Sequence, residues 1–89
     1  MNEPTRVVFR TFPDGEVIAL FPDEDWGNYL CSSYMHIGQH GGADYRGVVQ
    51  DTRLSTPEEY KDLKEELENY GPEDAHYNLK VIQRWTPKR

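Results

Sequence analysis

Basic clusters, cysteines and long apolar runs are what this 89-residue chain has least of, and each shortage closes off a class of function. A single cysteine, Cys31, excludes an internal disulfide, and beside only three histidines it cannot build a cysteine-rich zinc cage. No apolar run approaches the ~20 residues that a membrane-spanning helix needs. The opening Met1-Asn2-Glu3-Pro4 lacks the basic-then-apolar pattern of a secretory signal, so the cytoplasm is the expected compartment. A net charge of −6 argues against nucleic-acid binding, which draws its affinity from clustered Lys and Arg. Apolar residues are scarce too, at 36%, against an aromatic share of 12%. Tyr and Trp must therefore supply much of the core. One domain over residues 1–89 is expected, large enough to bury one helix against one sheet and too small to add a deep cleft.

What is present reads as β-β-β-(β)-α-β, an α+β domain with an antiparallel or mixed sheet of four to five strands and one amphipathic helix packed on one face. Arg6 to Phe12 is rich in β-branched and aromatic residues, and Glu16 to Phe21 is apolar on both faces, as a central strand should be. Between them Pro13-Asp14-Gly15 predicts a turn, because Pro presets φ, Asp bonds nearby backbone and Gly accepts positive φ. Pro22 to Asn28 reads as a loop, with Trp26 either a lid over the core or an exposed anchor, the lid being favoured. Tyr29 to Ile37 predicts a third strand. Its alternation assigns Tyr29, Cys31, Ser33, Met35 and Ile37 to the core, and Leu30, Ser32, Tyr34 and His36 to a half-open face. Gly38 to Gly42 reads as a loop needing positive φ, and Tyr45 to Arg53 as a strand, with a short helix as the alternative.

Thr56-Pro57-Glu58-Glu59 predicts a helix start, with Thr56 as N-cap, Pro57 at the first turn and Glu59 closing a capping box. Tyr60, Leu63, Leu67 and Tyr70 make its apolar stripe, and Gly71-Pro72 its stop. The many acids between Glu58 and Glu68 read as a solvated face. Tyr77 to Trp85 predicts a last strand, with Tyr77, Leu79, Val81 and Trp85 on one side. Its exposed edge leaves room for a homodimer.

The stretch from Tyr29 to Asp44 and Tyr45 concentrates the chemistry. It holds Cys31, His36 and His40, and the glycines Gly38, Gly41 and Gly42. A Cys31–histidine–Asp44 nucleophilic site is disfavoured, since Cys31 and His36 face opposite ways on a strand and nothing flanking Cys31 would lower its pKa. A metal site from His36, His40 and Asp44 has suitable ligand types, but the glycines deny it the helix that four-residue steps require. The glycines lack a Walker lysine or a dinucleotide fingerprint.

The segments Val7 to Arg10, Gly15 to Pro22, Ser33-Tyr34-Met35-His36-Ile37-Gly38-Gln39-His40-Gly41, Ala43-Asp44-Tyr45 and Thr56 to Leu63 together carry a resemblance. From Val7 to about Arg84 the chain resembles a group of small uncharacterised bacterial proteins carried on plasmids, integrated elements and phages. His36 to Gly41 is the most specific part, and Pro72 to His76 departs from the pattern. The resemblance implies no catalytic residues. It implies a setting in which small acidic proteins act by stoichiometric binding, blocking a host or defence protein or sequestering a small molecule.

The expectation is therefore a non-enzymatic protein-binding domain without a cofactor. Its surface would be built from Trp26, Tyr34, His36, Gln39, His40, Asp44 and Tyr45. A small-molecule or nucleotide binder using the Gly38–Asp44 loop is the alternative, and a small metal-dependent enzyme the third reading.

Overall fold

A computed structural model describes residues 4–27, 30–35, 39–69 and 78–85, with Asp25, Gln39 and His40 described by their backbone alone. The chain folds as an α+β domain, and the six strands among the described residues form one mixed sheet. The strands are β1 (Thr5–Thr11), β2 (Val17–Gly27), β3 (Leu30–Met35), β4 (Gln39–Ala43), β5 (Arg53–Leu54) and β6 (Leu79–Val81). Helix α1 (Tyr45–Asp51) precedes β5, and α2 (Pro57–Asn69) follows it. The sheet runs β4-β3-β2-β1-β5, with β6 also on β1. The outer side of β1 is thus divided: Thr5 to Val7 pair in parallel with β6, and Arg10 and Thr11 antiparallel with β5.

The β1–β2 hairpin forms as its turn chemistry dictates. Gly15 takes φ +93°, its N–H donates to the Phe12 carbonyl at 2.9 Å, and Asp14 accepts from the Glu16 N–H at 3.0 Å. Beyond Phe21, β2 runs on to Gly27 as a strand, where the sequence predicts a loop. Two register shifts against β3, between Phe21 and Asp25 and between Asp25 and Gly27, absorb the irregular residues as bulges.

Both faces of the sheet are covered. On one, Leu63 and Leu67 of α2 pack over Val7, Phe9, Ala19, Phe21 and Tyr34. Tyr60 stacks on Phe9 with ring centroids 4.5 Å apart. On the other, Val8, Ile18, Leu20, Cys31 and Ala43 lie beneath Tyr45 and Val48 of α1 and beneath Ile82 and Trp85. The half-open face expected for β3 is therefore corrected. Ser32 and Tyr34 are buried like Cys31 and Ser33, Tyr34 because α2 packs over it, while Leu30 is half-buried. Trp85 also departs from expectation. The strand ends at Val81, and Trp85 turns to the face opposite Leu79 and Val81. There it packs edge-on against Tyr45 at 5.1 Å and donates its indole N–H to Asp23 at 3.1 Å, beside the bidentate Arg6–Asp23 pair.

Helix α1 replaces the strand predicted for Tyr45 to Arg53, leaving only Arg53–Leu54 as strand. Val48 and Val49 favour a strand locally, but α1 is held from outside. Arg10 on β1 donates to the Val49 carbonyl at 3.1 Å, the Thr52 carbonyl at 2.7 Å and Thr52 Oγ1 at 3.0 Å. A guanidinium there satisfies carbonyls that a helix end leaves without partners, and it meets the negative end of the dipole.

Helix α2 starts as its sequence prescribes. Glu59 accepts from the Thr56 N–H at 2.9 Å, and Thr56 Oγ1 accepts from the Glu59 N–H at 3.3 Å, so the capping box is complete. Glu59 also pairs with Arg53, which holds its carboxyl well below the ordinary range, at about 2. The predicted Tyr70 contact, the Gly71-Pro72 stop and Tyr77 lie outside the described residues.

Candidate functional site

The expected surface is divided by the fold. Tyr34 belongs to the core under α2, and its hydroxyl donates to the buried carboxylate of Glu66. Glu66 itself belongs to the run read as solvated. An amphipathic ring with its polar tip against a carboxylate is how a tyrosine is buried without stranding its O–H. Tyr45 lies across the sheet from Tyr34, beneath Trp85. Asp44 is exposed at the N-cap of α1 without capping it. His36 lies outside the described residues, and Gln39 and His40 are placed by backbone.

What replaces the expected loop is a strand. Gln39 to Ala43 pair antiparallel with β3, from Met35↔Gln39 to Cys31↔Ala43. Among the described glycines only Gly15 and Gly27 have positive φ, so Gly41 and Gly42 are not there to make a turn. Gly42 is there to make room. A Cβ on Gly42 would lie 2.3 Å from Trp26 Cδ1 and 2.7 Å from its Nε1. Trp26 stands on β2 and Gly42 on β4, so the indole spans β3 across Ser32, the register partner of Gly42. Trp26 is not a lid over the core: it is 52% exposed, the most exposed large hydrophobic among the described residues.

The ladders fix which way the backbone of β4 points. The Val7 and Phe9 carbonyls accept from Ile82 and Ser55 on the outer side of β1, so even residues of β1 bond to β2. Carried through the registers, odd residues of β3 meet odd residues of β4. The N–H and C=O of His40 and Gly42 therefore point away from the sheet, and β4 ends the strand order among the described residues. Its sequence, Gln-His-Gly-Gly-Ala, has neither lysine nor proline, the usual guards of an edge. Two glycines also let another backbone approach closely.

The other candidates carry less. Cys31 is buried, and desolvation first, then the charges of Asp44 and Glu24, push its thiol pKa up, so it stays protonated and inert. No group of three or more possible metal ligands occurs among the described residues. A groove of about 190 Å³ runs along the Tyr60–Lys64 side of α2, and a crevice of about 60 Å³ lies between Leu54 and Val81. Both fall short of the roughly 300–1,000 Å³ of small-molecule pockets. No helix of the described residues is long and apolar enough to cross a membrane.

Sequence reasoning names Trp26 and the Gly38–Asp44 segment as parts of a contact region and misses Gly42 as the seat of the indole. The signal is present as a glycine pair in a segment free of charge, but its meaning depends on a tryptophan two strands away. Compared with known protein families, with curated proteins and with solved structures, the chain matches none. Fold and site together define a class by geometry alone, an α+β domain in which, among the described residues, two short strands pair with the outer side of β1 and none with the outer side of β4.

Proposed function

We propose that this chain is a non-enzymatic, stoichiometric protein-binding domain, in the mobile-element setting that its resemblance implies. A partner docks by adding an extended segment to the edge of β4. The observation that carries this is the outward backbone of His40 and Gly42 beside the exposed Trp26. Strand addition supplies main-chain hydrogen bonds, and an exposed aromatic beside the edge supplies an anchor. The nucleotide alternative finds no comparable support, since extended glycines do not form the concave cradle of amides that phosphate requires.

The test is His40→Pro. Proline there removes an outward N–H and leaves the bonds to β3 in place, as prolines at sheet edges do. The variant is expected to melt cooperatively and to lose a partner that the wild type captures from a bacterial lysate. Capture retained in full by the folded variant overturns strand addition, and a small molecule bound in the native mass spectrum instead of a protein overturns the protein-binding reading.

A further inference from the structure

The charge around the open edge says what kind of segment it takes. Between Arg10 and Arg46 the sequence has no Lys or Arg, while Asp14, Glu16, Asp23, Glu24, Asp25 and Asp44 all fall there. That interval runs through β2, β3 and β4, so these strands contribute no Lys or Arg, and the cations that flank them include Arg6, paired to Asp23, and Arg46, exposed in the first turn of α1. Asp23 is engaged by Arg6 and Trp85. Asp44 is exposed at the exit of β4, two residues from Gly42, the seat of the indole. Trp26 adds a half-exposed ring over Gly42, at the same edge. An indole face attracts a cation, and the neighbouring carboxylates raise the local concentration of one.

Resting on the edge-docking reading above, we propose that β4 takes an extended cationic segment of a partner protein, with a Lys or Arg side chain laid over Trp26. An acidic or neutral segment would forgo the cation–π contact, and an acidic one would be repelled. A second copy of this chain is disfavoured by the same acids, which would face their own kind.

The experiment is an NMR titration of the ¹⁵N-labelled chain with two short synthetic peptides, one alternating Arg and Val and the other Glu and Val. A two-residue repeat puts every charged side chain on one face of an added strand. The Arg peptide is expected to shift the His40 and Gly42 amides and the Trp26 indole N–H, with affinity falling as salt rises. In Trp26→Ala its affinity should fall about tenfold, and in Gly42→Ala, where the ring is displaced but present, it should fall less. Equal binding of both peptides at these amides overturns the preference for a cation and leaves edge docking standing. If neither peptide shifts them while His40→Pro still loses its captured partner, the cationic segment is likewise overturned and edge docking survives. Concentration-dependent shifts of these amides without peptide show a second copy on the edge and overturn the proposal.

Discussion

The two sides of this sheet are finished in opposite ways. On the β1 side several of the devices that close an edge are in use. Two short strands share one neighbour, Arg53 and Lys80 are exposed on them, and Arg10 ties α1 to the sheet. Thr11 bonds Ser55 in the interior at 2.6 Å, tying β1 to the entry of α2. On the β4 side the strand has no charged residue, two glycines and an indole lying over one of them. A protein that needed only to be stable and monomeric would guard both edges. The contrast places the tying contacts at β1, while among the described residues no strand pairs with the outer side of β4.

The largest effects are therefore expected on the closed side. Arg10→Ala leaves the Val49 and Thr52 carbonyls at the end of α1 without their charged donor. Hydrogen bonds to charged groups contribute about 1.5–3 kcal/mol, so a loss of that order is expected in urea melts. Amide exchange should accelerate first in Tyr45–Asp51. A loss spread evenly over the domain would show that α1 does not depend on this clamp. Thr56→Ala comes next. It removes half of the capping box and should cost about 1 kcal/mol, read as a drop in melting temperature of about 4–8 °C.

These two variants also separate what the sequence discloses from what it hides. Thr56, Pro57 and Glu59 announce their helix because the cap is made by residues three apart, and Pro13-Asp14-Gly15 announces its hairpin for the same reason. The apolar run from Val17 to Phe21 likewise reveals a central strand. Helix α1 is hidden because its deciding contact comes from Arg10, 39 and 42 residues from the carbonyls it holds. The placing of Tyr34 is hidden because alternation gives two faces to a strand and cannot say that both are covered. Its partner Glu66 lies 32 residues on, in a run that composition reads as solvated. The candidate site is legible as a region and not as a geometry, since only the fold brings Trp26 over Gly42.

Acid sharpens the comparison with a smaller effect. The Glu59 carboxyl is lowered from 4.5 to about 2, first by Arg53 and then by the Thr56 amide. A lowered folded-state pKa means that the unfolded chain binds its proton first as pH falls. The stabilisation is full above about pH 4.5 and is lost as pH drops towards 2. Melting temperature should therefore fall across that window, and Glu59→Gln should flatten part of the fall. Because the pair meets solvent, added salt should shrink the effect. An identical acid profile in the variant would show that the pair contributes nothing.

The smallest change in stability is expected on the open side, from Gly42→Ala. The added methyl carbon cannot coexist with the indole at 2.3 Å, yet the ring is half in solvent and can swing aside. Surface changes of this kind usually lie within about 0.5 kcal/mol of neutral, so the melt should barely move. Its consequence is local. With two tryptophans in the chain, two indole N–H signals are expected. That of Trp85, bonded to Asp23, should stay in place while that of Trp26 moves. A large loss of stability would mean that Trp26 is part of the core's support after all. A small one, with weakened docking, shows that glycine is required at position 42 by the contact surface and not by the fold.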